Sequence, residues 1–134
     1  LFAYPAVHAD LPHLVANVAA LILLGPVVEG VLGPARYLAA VAGAGVAAGW
    51  THVVFARLTG TDALPLVGAS GAIFGLLGLF AVRFWRHPIR LFGAVPMTAS
   101  LAVTAVVLAQ ALFLFLARPA DVSYAAHVGG ALFG

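Results

Sequence analysis

The chain has 134 residues, of which 64% are hydrophobic and only 7% charged, and it contains no cysteine. So few charges exclude an ordinary soluble domain, and the absence of cysteine excludes disulfides, thiol catalysis and cysteine metal sites. The net charge of +2 is too small to indicate nucleic-acid binding. The composition therefore predicts an all-α, polytopic membrane bundle whose apolar runs are long enough to span a bilayer.

Five membrane segments are predicted in chain order. A loop that ends at Asp10 leads into the first segment, from about Leu11 to Val28, with Asp10 as its cap and Pro12 in its first turn. Glu29-Gly30 and Gly33-Pro34 form the turn after it. The remaining segments are expected at about Ala35 to Phe55, Gly68 to Phe84, Leu91 to Ala117, and from Val122 onward.

The two ends of the chain lack features that are expected of a complete membrane domain. The chain begins without an initiator methionine, and its last apolar run covers only about 13 residues, or about 20 Å of helix. The hydrocarbon core of a bilayer is about 30 Å thick. We therefore expect residues 1–134 to be a single membrane domain that is truncated at both ends, with membrane sequence continuing after Gly134.

The arginines predict an orientation in the membrane. Four of them lie at one set of turns, namely Arg36, Arg83, Arg86 and Arg90. The other set of turns holds two arginines and three aspartates, namely Arg57, Arg118, Asp10, Asp62 and Asp121. By the positive-inside rule the first set is cytoplasmic. The first, third and fifth segments are therefore expected to start on the outer side.

Polar side chains occur near the outer ends of these three segments. His13 and Asn17 lie in the first, Ser70 opens the third, and His127 lies early in the fifth. Ser70 follows His13 by 57 residues, and His127 follows Ser70 by 57 residues. Each interval covers one helix inward and one helix back, so these residues are expected at a similar depth. Polar side chains inside membrane segments are costly and are candidates for function.

The residue types at these positions suit acyl transfer. Ser70 lies where free backbone N–H groups and the positive end of a helix dipole favour a developing negative charge, so it is either a helix cap or a nucleophile. His127 would be the general base. His13 and Asn17, four residues apart, share one helix face and would present donors to an oxyanion. No acidic residue is placed to orient His127, which favours a Ser–His dyad over a triad.

Small and aromatic residues surround these positions. Glycines recur at spacings that permit close helix packing, namely Gly71, Gly75 and Gly78 after the serine and Gly130 and Gly134 after the histidine. Such packing would bring Ser70 within hydrogen-bond reach of His127. Phe74 lies one turn below Ser70, and its ring is expected to pack against the His127 imidazole.

Each of these residues also has a structural interpretation when taken alone. Ser70 would be a helix cap, His127 a buried hydrogen-bonded histidine, and His13 and Asn17 interhelical contacts. The joint interpretation is favoured because four unrelated polar residues would otherwise meet at one depth by accident. The remaining histidines of the membrane part are assigned structural roles, namely His52 and His87.

Three motifs carry a resemblance to a known family. They are His13-Leu-Val-Ala-Asn17, then Gly68-Ala-Ser70-Gly71 with Phe74 and Gly75, then Ala126-His127-Val-Gly-Gly130 with Gly134. In this order, over nearly the whole chain, they resemble the rhomboid intramembrane serine proteases. The resemblance implies a core of six membrane helices, of which this chain holds five, the last one incomplete.

The resemblance also implies a mechanism. Ser70 would attack a peptide carbonyl of a single-pass membrane protein, in or near the bilayer, and His127 would accept and then donate the proton. His13, Asn17 and the backbone N–H of Ser70 would hold the oxyanion. No metal or cofactor would be needed.

Further residues take supporting roles by the same resemblance. His8 matches a histidine that is often found just before the first of these segments, with a structural role. Phe74 stands where the family usually has an aromatic residue, often tyrosine. The supporting glycines are Gly68, Gly71 and Gly130.

Two other functions stay open. Rhomboid-like proteins without activity bind or escort membrane clients, but they usually lack the serine or the histidine, and both are present here. A fragment of a transporter or channel is disfavoured, because no inverted repeat and no deep acidic residue is visible. The alanine- and arginine-rich, lysine-free composition predicts a bacterial plasma membrane protein, and the arginine distribution predicts that its active site opens to the outer face. The oligomeric state stays open.

Overall fold

The computed structural model describes residues 3–60, 65–91, 94–116 and 123–134. In this part of the chain a 3₁₀ turn, Tyr4–Ala6, precedes five helices and one small hairpin. The helices are α1 (Leu11–Leu32), α2 (Pro34–Thr59), α3 (Ser70–Arg83), α4 (Ala99–Leu116) and α5 (Tyr124–Phe133), and the strands are β1 (Pro88–Leu91) and β2 (Val95–Thr98). Several residues used above lie outside the described part, namely Asp62, Ala117, Arg118, Asp121 and Val122.

The outer surface of the bundle is apolar. The exposed fractions of Leu58, Phe115 and Leu23 are 82%, 78% and 76%, which would be costly in water because large apolar patches are rarely left exposed there. Among the described residues, α1, α2 and α4 are long and apolar enough to cross a membrane. The chain is therefore an integral membrane protein with a helical bundle, as its composition predicts.

Helices α3 and α5 lie at the centre of the bundle. Helix α5 packs most extensively against α2 and α3 and also contacts α4, while α3 contacts α1, α2, α4 and α5. The buried side chains are mostly alanines, and Leu76 is the largest fully buried side chain among the described residues. Small side chains let the helix backbones approach closely, which is how helices gain contact energy in lipid.

The interface between α3 and α5 is built from glycines. A Cβ atom at Gly130 would overlap the carbonyl oxygen of Gly71, and one at Gly134 would overlap that of Gly75. The two backbones thus touch directly at positions four residues apart, and any larger residue would separate the helices. The close packing predicted from the glycine spacing is confirmed.

The first two helices are longer than predicted. Asp10 caps α1 by accepting a hydrogen bond from the backbone N–H of His13 at 2.7 Å, as expected, and Pro12 lies in its first turn. The predicted end at Val28 and turn at Glu29-Gly30 are wrong, because α1 continues past Pro26 to Leu32. Membrane helices tolerate internal glycine and proline, which weakens them as stop signals.

Two glycines with positive φ end these helices instead. The turn between α1 and α2 is made at Gly33, with a φ of 78°, and Pro34 begins α2. Helix α2 ends at Thr59 rather than Phe55, where Gly60 adopts the left-handed conformation with a φ of 64°. The left-handed conformation is readily available to glycine.

The largest departure from the prediction lies before α4. The predicted start of the fourth segment at Leu91 is wrong, because Pro88–Leu91 pairs antiparallel with Val95–Thr98 and α4 begins only at Ala99. Pro96 cannot donate a helical hydrogen bond and pushes Val95 towards an extended conformation. The hairpin replaces about two turns of the predicted helix.

Candidate active site

Ser70 and His127 form a hydrogen-bonded pair. Ser70 is the first residue of α3, His127 lies one turn into α5, and Ser70 Oγ is 2.8 Å from His127 Nε2. The N-cap position of α3 is Ala69, and no side chain caps it. The hydroxyl of Ser70 is therefore directed to the imidazole, and its interpretation as a helix cap is wrong.

The imidazole of His127 is held on its other sides as well. Its Nδ1 atom is 2.8 Å from Oε1 of Gln110 on α4. The Phe74 ring stacks on it with 4.4 Å between ring centroids and 6° between planes, which confirms the predicted contact. Tyr124 meets it edge-on at 6.5 Å. With 9% of its surface exposed, His127 is fixed in both position and ring orientation.

Gln110 is the residue that the sequence interpretation missed. The search for a third partner of His127 considered acidic side chains alone, and it found none. A usable signal existed, since Gln110 is the only glutamine of the chain and lies in the otherwise apolar second half of α4. A polar residue in such a place is a functional candidate by the same rule that selected His127.

His13 and Asn17 face the loop that precedes Ser70. Asn17 is 6% exposed, and its Nδ2 atom is buried without a hydrogen-bond partner in the described part of the chain. Burying an unpaired amide donor costs about 1–3 kcal/mol. An oxygen atom of a ligand beside Asn17 would recover this free energy, which is the behaviour expected of an oxyanion donor.

Gly68 allows this loop to pass against α1. Its φ is 95°, and a Cβ atom there would lie 2.6 Å from both Cε1 and Nε2 of His13 and 3.3 Å from Nδ2 of Asn17. Any other residue would combine backbone strain with a collision. Gly68 therefore sets the distance between the predicted oxyanion donors and the start of α3.

Tyr4 and His8 support this arrangement from the N-terminal loop. The carbonyl oxygen of Tyr4 accepts the N–H of Gly68 at 3.1 Å, and its hydroxyl donates to the carbonyl of Gly45 at 2.7 Å. Burial raises the pKa of the Tyr4 phenol above its ordinary value, so the hydroxyl stays a neutral donor. His8 contacts the ring of His13 edge-on, with centroids 5.2 Å apart, and its structural role stays a prediction.

A cavity of about 290 Å³ joins these groups. Residues from the starts of α1, α3 and α5 line it together, namely His13, Asn17, Gly68, Ser70, Gly71 and His127. The convergence that the equal sequence intervals predict is thus present in the structure. A hydroxyl, an imidazole and an unpaired amide donor that line one cavity are groups that acyl transfer uses.

The remaining histidines lie at the edge of this arrangement. His52 Nδ1 is 2.7 Å from the hydroxyl of Ser123, and that hydroxyl caps α5 by accepting the N–H of Ala126 at 3.3 Å. His52 thus supports the start of the helix that carries His127, which agrees with its assigned structural role. His87 is exposed in the turn before β1 and contacts Phe84 edge-on.

Comparison with known proteins gives an independent result. The family model described as the Rhomboid domain matches residues 1–134. The "Putative rhomboid protease YdcA" of Bacillus subtilis is 42% identical over 81 residues, covering 58% of this chain and 38% of the relative. "Rhomboid protein 1, mitochondrial" of Saccharomyces cerevisiae is 33% identical over 129 residues, covering 95% and 37%.

A mammalian relative extends the range of organisms. "Rhomboid-related protein 2" of Mus musculus is 32% identical over 141 residues, covering 98% of this chain and 44% of the relative. The chain spans about two fifths of the length of these relatives, and no solved structure matches it significantly. Because the family model covers all 134 residues, the chain belongs to the rhomboid family.

Proposed function

We propose that this chain is the catalytic part of an intramembrane serine endopeptidase. The observation that carries the proposal is the 2.8 Å contact between Ser70 Oγ and His127 Nε2 inside the cavity. A serine beside a histidine that is itself oriented by a third group is the arrangement expected of an activated nucleophile. Most members of the rhomboid family are proteases of this kind, which supports the same reaction.

The reaction proceeds in two halves. Ser70 Oγ attacks the peptide carbonyl carbon while His127 Nε2 takes the hydroxyl proton, and the carbonyl oxygen becomes an oxyanion held by His13, Asn17 and the Ser70 N–H. The C–N bond then breaks, and His127 gives its proton to the leaving amine. In the second half His127 takes a proton from water, the hydroxide attacks the ester carbonyl, and Ser70 recovers its proton from His127.

The substrates follow from the setting of the site. A cavity within a lipid-embedded bundle is reached by polypeptides that are themselves in the membrane, so we propose single-pass membrane proteins. Their helical carbonyls already accept hydrogen bonds, and cleavage therefore requires local unwinding. The arginine distribution and the lysine-free composition further support a bacterial plasma membrane, with the cavity opening to the outer face.

The test compares cleavage by matched variants of the full chain in liposomes. A labelled single-pass membrane protein is the substrate, with wild type, Ser70→Ala and His127→Ala as enzymes. Ser100→Ala and His87→Ala serve as controls, because these residues lie outside the cavity lining. We expect both active-site variants to lose at least about 10³-fold in rate, with unchanged thermal unfolding, and the controls to cleave like wild type.

Two results would contradict the proposal. Cleavage that persists in Ser70→Ala would exclude the serine mechanism. Absence of wild-type cleavage over several substrates, with binding of those substrates retained, would instead favour a client-binding protein.

A further inference from the structure

Gln110 holds an unusual position among the polar residues of the bundle. It lies on α4, six residues from the end of that helix, and its Oε1 atom is 2.8 Å from His127 Nδ1. The contact joins side chains of two helices, α4 and α5, that are 17 positions apart in the sequence. Neither the sequence motifs nor the comparisons assign a role to this residue.

The chemistry of the imidazole gives the contact a direction. A neutral histidine carries its proton on one nitrogen and a lone pair on the other. If Gln110 Oε1 faces Nδ1, it accepts the Nδ1–H, which leaves the lone pair on Nε2, the atom that faces Ser70. If the amide instead turned its NH₂ group to the ring, Nδ1 would hold the lone pair and Nε2–H would point at the serine, which blocks proton transfer from Ser70.

We propose that Gln110 is a positioning residue that fixes His127 in the Nδ1–H tautomer and so makes Nε2 the base for Ser70. This inference rests on the proposed protease function. Gln110 does the orienting work that a carboxylate does in a triad, but as a neutral group. A neutral amide suits this bundle, because burying a carboxylate in lipid costs far more than burying an amide.

The rigidity of the arrangement supports this role. Phe74 stacks on one face of the imidazole and fixes the ring plane, but stacking does not distinguish the two nitrogens. The hydrogen bond to Gln110 does distinguish them, since an oxygen acceptor pairs only with a protonated nitrogen. Ring plane and tautomer are thus set by different side chains from α3 and α4.

The first experiment distinguishes the effect of the Gln110 oxygen as a hydrogen-bond acceptor from the effect of the side chain's volume. Gln110→Met keeps the length of the side chain and removes the acceptor, whereas Gln110→Glu keeps an oxygen at the same distance. Thr104→Val on the exposed part of α4 is the control for loss of a polar group from this helix. Steady-state cleavage in liposomes gives kcat and KM for each variant, and Ser70→Ala gives the background.

We expect kcat of Gln110→Met to fall at least about tenfold with KM unchanged. The loss should not exceed the roughly 10²–10⁴-fold that a positioned general base contributes, because His127 itself is retained. Gln110→Glu should recover most of this loss, and Thr104→Val should match wild type. Equal kcat for wild type and Gln110→Met would overturn the inference while leaving the protease function intact. If the wild type cleaves no faster than the Ser70→Ala background, this result would instead contradict the protease function on which the inference rests.

The second experiment needs no turnover. The ¹⁵N NMR signals of ring-labelled histidines, assigned to His127 by their absence in His127→Ala, report which ring nitrogen is protonated. We expect Nδ1–H in the wild type and a mixture of tautomers in Gln110→Met. An Nε2–H tautomer in the wild type would overturn the inference even if Gln110→Met did not fold.

Discussion

His127 is contacted by side chains that come from two other helices besides its own. Ser70 and Phe74 reach it from α3, and Gln110 reaches it from α4. Three of these four residues were predicted, because counting turns along the apolar segments places Ser70 and His127 at one depth and Phe74 one turn below Ser70. Gln110 was a candidate by its polarity in an apolar helix, but its contact with His127 was not predicted. The predicted fourth helix began eight residues too early, and the direction in which a helical side chain points cannot be inferred without the true start of the helix.

At the same scale, Gly68 controls the approach of the loop to α1. We expect Gly68→Ala to lower kcat at least about tenfold and to destabilise the fold, because a left-handed backbone costs a non-glycine residue roughly 1–2 kcal/mol and the new Cβ would meet His13. Cleavage rates and thermal unfolding in detergent measure the two effects.

Gly60→Ala is the matched control for this variant. Gly60 also has a positive φ, of 64°, but nothing lies within 4 Å of a Cβ placed there. It should show the backbone strain alone, with a lower unfolding temperature and a normal kcat. A normal kcat in Gly68→Ala as well would show that the spacing between this loop and His13 does not matter for the reaction.

At the scale of elements, α5 is a helix of 10 residues that packs against both α2 and α3. The glycines between α3 and α5 allow this position. They were predicted from the sequence because small residues four apart favour close packing of membrane helices. The ends of α1 and α2 were predicted less accurately, because the glycines and prolines that mark helix ends in soluble proteins also occur inside membrane helices. The hairpin at Pro88–Thr98 escaped prediction because a short apolar strand and an apolar helix end look alike in composition.

The glycine interface yields a prediction about α5. Gly130→Ala would place a methyl group on the carbonyl oxygen of Gly71, and a backbone atom cannot move aside as a side chain can. We expect a loss of about 1–3 kcal/mol in unfolding free energy, as for other overpacked cores. Activity should fall too, because separating α3 from α5 lengthens the contact between Ser70 and His127.

Gly30→Ala is the control that tests whether the destabilisation expected for Gly130→Ala is specific to the interface between α3 and α5. Gly30 lies inside α1, and nothing is found within 4 Å of an added Cβ. The substitution should stabilise the helix by about 0.5–1 kcal/mol and leave cleavage unchanged. Equal unfolding temperatures for the two alanine variants would contradict direct contact between the α3 and α5 backbones.

For the whole molecule, the predicted orientation places the turn after α2 outside and the turn after α3 inside. The chain contains no cysteine, so single cysteines report on topology without background. We expect Thr59→Cys to react with a membrane-impermeant maleimide in intact bacteria and His87→Cys to react only after permeabilisation. Both residues are exposed, and neither substitution removes an arginine. The reverse labelling pattern would contradict the inward direction of α3.

The 14 residues of α3 have a consequence for the choice of peptide bond. They extend about 21 Å, which is about 9 Å less than the hydrocarbon thickness of a typical bilayer. If Arg83 lies at one boundary of the hydrocarbon layer, as the arginine distribution predicts, Ser70 would lie about 9 Å beneath the other boundary. The length of α3 would then set the distance between the lipid surface and the Ser70 hydroxyl. In the proposed protease, the peptide bond that is cleaved is then selected by its depth in the bilayer as well as by its neighbouring residues. Membranes of different thickness would therefore present different peptide bonds of one substrate to the same enzyme.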